Sequence, residues 1–175
     1  MVSRFQQEIK QTRPFRSKTE EAALALLRTA DLVRRGIATI VEPYSITVQQ
    51  YNVLRILRGA GDRGLPTLEI AERMIEQTPG ITRLIDRLER KQLVLRERCE
   101  TDRRQVFCRI TSDGLKLLAD LDAPIRSMDK WALAALPPRD IAQLIALLDK
   151  ARTGLSDRVT SRRSENQINN RRRNR

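Results

Sequence analysis

A chain of 175 residues with 34 Lys plus Arg, 22 Asp plus Glu and a formal charge of +12 has room for one domain, or one domain with long arms, and not for two full-sized ones. It contains no histidine, which excludes imidazole general bases, His-containing triads and most zinc enzymes in one step. The basic excess, with a pI near 10.9, makes a polyanion the first partner to consider, and 40% hydrophobic residues keep the chain globular through most of its length.

Residues 1–18 are basic and polar, with five basic side chains against one acidic, and lack the apolar run of a secretory signal. From Glu20 to Val41, Ala23, Leu27, Ala30, Val33 or Arg34, Ile37 and Ile40 recur at steps of three and four, predicting a helix that Pro43 ends. Gly36 inside it costs about 1 kcal/mol relative to alanine, tolerable if a neighbouring backbone packs close there. Thr47 is the N-cap of a second helix reaching about Arg58, with Val48, Tyr51 and Leu54 inward and Ile56-Leu57 next in line. Gly59 to Gly64 is a loop. A short helix starts near Thr67 and holds Leu68, Ile70, Ala71 and Met74. Another begins at Thr78-Pro79, where threonine can cap and proline suits the first helical position. In this one Ile81, Leu84, Ile85 and Leu88 form a buried stripe, which leaves Gly80, Thr82, Arg83, Asp86, Arg87 and Arg90 on the outer face.

The period then changes to two. Val94, Arg96 and Arg98 alternate with Leu95, Glu97 and Cys99, a second alternating run spans Gln105 to Ile110, and the polar stretch Glu100 to Arg104 between them makes a β-hairpin with a charged tip. Thr111 caps a long helical segment carrying Leu115, Leu118, Leu121, Ile125, Met128, Ala132 and Ala135, kinked or divided at Pro124. Pro137-Pro138 breaks the chain before a last helix, about Arg139 to Leu155, with Ile141, Leu144, Ile145 and Leu148 on one face. Residues 156–175 hold seven basic and two acidic side chains in a Ser-, Asn- and Gln-rich run that cannot bury enough apolar surface to order itself. Between the two ends the body is nearly neutral except for 77–109, where nine basic residues stand against five acidic ones. No stretch approaches the ~20 apolar residues of a membrane span. Two cysteines are too few for a disulfide framework or a four-ligand metal site, so a reduced, cytoplasmic protein without metal or cofactor is expected.

Helix, tight turn, helix and basic hairpin make a winged helix-turn-helix, so the fold class is mainly α with a small β-wing, joined to a helical dimerisation region. A helix fits the major groove, where base edges present distinct donor and acceptor patterns, and a hairpin tip fits the neighbouring minor groove. The competing reading of the outer face is a solvated surface in which Asp86 pairs with Arg83 and Arg90 at helical spacing. Convergence of the arginines on one short segment favours nucleic acid.

The motif Asp102-Arg103-Arg104, five residues, then Ile110-Thr111-Ser112-Asp113-Gly114 resembles the wing signature of the MarR (multiple antibiotic resistance regulator) transcription factors. Leu68 to Met74 and Thr82 to Lys91 resemble that family's two-helix reader, and the similarity covers roughly Glu20 to Leu155. The resemblance implies an obligate dimer joined by its first and last two helices; the residues expected on double-stranded DNA, from the start of the first reader helix, the turn before the second and that second helix's start and outer face, are Thr67, Gln77, Thr78, Pro79, Gly80, Thr82, Arg83 and Arg87. It also implies that Arg103 or Arg104 enters the minor groove while Asp102 braces the wing turn. The sequence departs from the family in two places. Lys91-Gln92-Leu93 stands where a glycine usually ends the reader helix, so either Gln92 is left-handed or the helix ends differently. Glu76-Gln77 replaces the small residues usual in the inter-helix turn.

The family is often released from DNA by a small phenolic or carboxylate ligand, for which Tyr44, Tyr51 and Trp131 are candidate walls and Arg34 or Arg35 candidate anion partners; core or interface anchoring is the plainer role for Tyr51 and Trp131. Oxidation control through Cys99 or Cys108 is a further branch. The expected map is a basic arm (1–18), a dimerisation helix (19–44), the winged domain (45–110), C-terminal dimerisation helices (111–157) and a basic disordered tail (158–175). The expected function is a homodimeric repressor of a pseudo-palindromic operator, not an enzyme. The alternative is a sequence-independent RNA or nucleoid binder that uses the winged domain and the basic tails.

Overall fold

The computed structural model describes residues 2–77, 80–98 and 106–173, those from 156 onward as backbone only. Two compact units divide the chain, Met1–Asp129 and Lys130–Arg175. In order the elements are α1 (Arg4–Glu8), α2 (Lys18–Val41), a 3-10 turn (Glu42–Tyr44), α3 (Val48–Ala60), a second 3-10 turn (Gly61–Arg63), β1 (Leu65–Pro66), α4 (Thr67–Arg73), α5 (Ile81–Arg90), β2 (Val94–Arg98), β3 (Val106–Ile110), α6 (Ser112–Ala132) and α7 (Pro138–Arg173). The fold is mainly helical, with one antiparallel sheet ordered β1-β3-β2. Among the described residues no helix is long and apolar enough to cross a membrane.

Local chemistry sets the helix ends. The Ser17 hydroxyl accepts from the Glu20 N–H at 3.1 Å and starts α2. Thr47 and Gln50 form a reciprocal capping box at α3, as threonine at that position predicts. Gly80 has φ +95°, a conformation an L side chain resists, so α5 begins at Ile81 and not at Thr78-Pro79, which lie outside the described residues. Pro124 does not divide α6 into two helices. It is exposed, and water can satisfy the carbonyl its ring frees. Beyond Gly154 no glycine or proline interrupts the chain, and α7 continues to Arg173, past the expected end at Leu155 and through the stretch read as a disordered tail.

The basic arm is more ordered than its composition foretells. Gln6 is buried, and its amide donates to the carbonyls of Gln11 and Arg13, both at 3.2 Å. The rings of Phe5 and Phe15 stack 5.8 Å apart, and Glu8 pairs with Arg28 of α2. Packing also answers the question posed by Gly36. A Cβ there would lie 3.2 Å from the Met128 sulfur, so a side chain of α6, not a backbone, fills the space.

One core lies within the first unit. Val53, Leu54 and Leu57 of α3, Ile70 of α4, Ile85 and Leu88 of α5, Val94 and Cys108 of the sheet, and Leu118 and Leu121 of α6 are all fully buried. Each large side chain contributes about 1.5–3 kcal/mol relative to exposure. Outside this core, α2 leaves Leu24, Leu26, Leu27 and Leu32 exposed, and α7 leaves Ile145, Leu147 and Leu155 exposed.

Candidate nucleic-acid interface

The inner stripe of α5 fixes which of its residues face out. Ile85 and Leu88 are buried and Ile81 and Leu84 pack beside them, so Thr82, Arg83, Arg87 and Arg90 are exposed. Arg90 Nε donates to the Asp86 carbonyl, whereas Arg83 and Arg87 make no ion pair among the described residues. The carboxylates of the same helix are engaged elsewhere. Arg96 of β2 donates to Asp86 Oδ1 at 2.5 Å and to the Thr82 carbonyl at 3.2 Å, and it lies 3.6 Å from Glu89. Burial alone would lower the Arg96 pKa, but the hydrogen bond to Asp86 and the charges of Asp86 and Glu89 outweigh it and raise it. The result is a helix whose acidic charge is neutralised from behind and whose basic charge faces out. The i, i+3 and i, i+4 pairing of Asp86 with Arg83 and Arg90 side chains, the competing sequence reading, is absent among the described ion pairs.

Arg96 was legible only as one member of an alternating strand. Val94 is buried, so Arg96, two residues on, shares its inward phase. An arginine in that phase needs carboxylates, and Asp86 and Glu89 stand three apart on the preceding helix.

The base of the wing is locked by the signature residues. Gln92 has φ +60°, the left-handed conformation allowed for at that position. Thr111 Oγ1 donates to the Gln92 carbonyl at 2.7 Å and accepts from the Gly114 N–H at 3.1 Å, while the Thr111 N–H donates to the Leu93 carbonyl at 3.1 Å. Gly114 completes the motif for a steric reason, because a Cβ would sit 2.5 Å from the Leu93 carbonyl oxygen. Across the strands Glu97 pairs with Arg109 at 3.0 Å, and the register runs from Val94 opposite Ile110 to Arg98 opposite Val106. Cys99, Asp102, Arg103 and Arg104 lie outside the described residues.

Of the other expected contacts, Gln77 and Gly80 are exposed in the turn before α5. Thr67, at the first position of α4, is half-buried and sits 3.8 Å from the Cys108 thiol; with Thr82 it lines an open groove of about 770 Å³ that also holds Glu69 and Glu72. Burial pushes the Cys108 thiol pKa up. Two-residue β1, which sets Leu65 opposite Cys108, carried no sequence signal at all.

Each candidate effector residue has its own surroundings. Tyr51 is buried under Arg55, 5.8 Å from its ring centre, and lines a cavity of about 300 Å³ with Arg55, Arg58, Asp122, Ile125, Arg126 and Asp129. Burial raises the Tyr51 pKa, and Arg58 holds Asp122 in a forked pair at 2.9 and 3.0 Å. Arg34 and Arg35 both pair with Asp31, at 2.5 and 3.0 Å. Tyr44 is 38% exposed in the turn after α2, and Trp131 in the second unit is 78% exposed.

A model of the MarR family matches residues 46–106, from the residue before Thr47 to the second wing strand. The chain is 32% identical over 81 residues to the Bacillus subtilis regulator MhqR, an alignment spanning 54% of that protein. Its fold matches that of S. aureus MepR solved with DNA, with TM-score 0.70 and 23% identity over 75% of this chain and 96% of that one. A solved MarR transcription factor from Planctomyces limnophilus is 42% identical, with TM-score 0.60 over 78% of this chain and 98% of that structure. With that identity over nearly all of a solved member, and the wing lock and outward-facing arginines already described, the chain belongs to the MarR family of transcription regulators.

Proposed function

We propose that the protein is a homodimeric repressor of a two-fold symmetric DNA site. The observation that carries this reading is the split of charge on α5, with Asp86 and Glu89 neutralised by Arg96 and with Thr82, Arg83 and Arg87 exposed. Thr82, Arg83 and Arg87 contact base edges and phosphates in the major groove. Gln77, Thr78, Pro79, Gly80 and Thr67 approach the adjacent backbone. Arg103 or Arg104 enters the minor groove, with Asp102 bracing the tip. The S. aureus relative solved with DNA supports this use of the fold.

Dimerisation joins α2 with α6 and α7 of two copies, in keeping with the exposed leucines of α2 and the exposed Ile145, Leu147 and Leu155 of α7. The expected division of residues 19–157 is kept in this proposal, with 45–110 as the DNA-binding part, while α7 extends beyond it to Arg173. Two readers then enter successive major grooves about 34 Å apart, and such a dimer blocks a promoter by occupying it. A small aromatic or anionic effector releases it, with the cavity beside Tyr51 as one candidate seat and Arg34, Arg35, Tyr44 and Trp131 as further candidate contacts.

Selection of bound sequences from a random duplex pool tests the proposal, with a two-fold symmetric consensus expected and the absence of any consensus contradicting it. Arg83→Ala relaxes that preference. Loss of both Arg103 and Arg104 weakens binding to all duplexes, and unchanged affinity at moderate salt overturns the wing assignment.

A further inference from the structure

We propose that Glu76 is a positioning residue that ties the turn in front of the reader helix to α2 and α3, so that a change at Arg34 is transmitted to α5. The inference rests on the reading of α5 as the DNA reader. A small side chain, the usual occupant of this turn by resemblance, reaches nothing. The Glu76 carboxylate reaches two helices: Oε1 lies 3.9 Å from Arg34 Nε of α2, and Oε2 accepts from Gln49 Nε2 of α3 at 3.2 Å. One residue earlier, the Ile75 N–H donates to Asn52 Oδ1 of α3 at 2.9 Å. Arg34 is also held by Asp31, and Asp31 by Arg35, so opposite charges alternate along Arg35, Asp31, Arg34 and Glu76 from α2 to the turn.

The turn is where such a tie has leverage. The buried stripe of α5 fixes the depth of that helix, and the chain enters its N-terminal end through the left-handed Gly80. Arg83 and Thr82 lie within the first turn after that glycine, so a small rotation there displaces the side chains that read DNA. Arg34 and Glu76 are each about half exposed (48% and 48%), which leaves the tie open to competition from any anion that reaches Arg34.

Hydrogen exchange of the full chain without DNA tests whether the tie exists. In Arg34→Gln and in Glu76→Gln the amides of residues 75–84 are expected to exchange about three- to tenfold faster, with no further gain in the double variant and no change in β2. A second reading uses the ratio of affinities for the selected consensus duplex and a scrambled one, because loss of a carboxylate strengthens attraction to every duplex and cancels in the ratio. That ratio is expected to fall about three- to tenfold in each single variant, again without multiplying in the double. Wild-type exchange in Arg34→Gln, or single effects that multiply, overturns the proposal, as does a wild-type ratio. Failure to select any consensus instead counts against the reader assignment, and exchange still reports on the tie.

Discussion

Replacing Arg96 with methionine keeps the aliphatic stem against the core and removes the guanidinium that holds Asp86 and Glu89. Breaking a fully buried pair costs about 3–5 kcal/mol and an exposed one about 0–1 kcal/mol. Here the arginine side chain is 23% exposed and each carboxylate 41%, so water partly rehydrates what is left behind. The expected loss is about 1–2 kcal/mol of unfolding free energy, read as a lower urea midpoint at unchanged slope. Adding Asp86→Asn and Glu89→Gln should return at least half of it, because the stranded charges are gone. DNA affinity should fall several-fold at low salt and converge on wild type as salt rises, since the two uncovered carboxylates repel phosphates across a screenable distance. An Arg96→Met protein within about 0.5 kcal/mol of wild type, with unaltered low-salt affinity, refutes the reasoning.

Three further outcomes follow from the geometry. Gln92→Gly is expected to stabilise the protein by about 0.5–1 kcal/mol in urea unfolding, because relief of a left-handed non-glycine residue exceeds the entropy glycine adds to the unfolded chain. Gly114→Ala should destabilise it by about 1–3 kcal/mol, since its Cβ meets a backbone carbonyl that cannot swing away, and loosen the hairpin base in amide exchange. Burial raises the pKa of the Cys108 thiol and the Tyr51 phenol above their ordinary 9.0 and 10.0, so the unfolded chain ionises first; stability is intact below those values and is lost as pH climbs past them. The urea midpoint should therefore drop between pH 8 and an alkaline pH of about 10.5, less steeply in a Cys108→Ala, Tyr51→Phe variant.

Periodic segments were legible because burial on one side imposes a repeat. The stripe Ile81, Leu84, Ile85, Leu88 fixed the outer face of α5 before any coordinates, and Thr47 announced the cap of α3. The substitution of Gln92 for glycine left two outcomes open, a left-handed Gln92 or a different helix end, and the first is the one found. Short elements escaped for the converse reason. Neither α1 nor β1 is long enough to show a period, and Pro66 lies in a strand only because β1 is an edge. Contacts between elements escaped too: nothing local to Arg96, Glu76 or Arg34 names the partner across the fold. Arg34 and Arg35, offered as anion partners of an effector, both pair with Asp31 on their own helix. Sequence spacing on α2 shows Asp31 at i−3 and i−4 from them, and that was the available signal.

Methylation interference on the selected duplex tests the central claim most directly. If α5 is the reader of a two-fold pair, guanine N7 methylation blocks binding in two major-groove patches on one face of the helix, centred about one turn apart. Arg83→Ala should remove the interference within those patches while distant backbone contacts persist. Interference confined to the minor groove, or spread evenly along the duplex, contradicts the account.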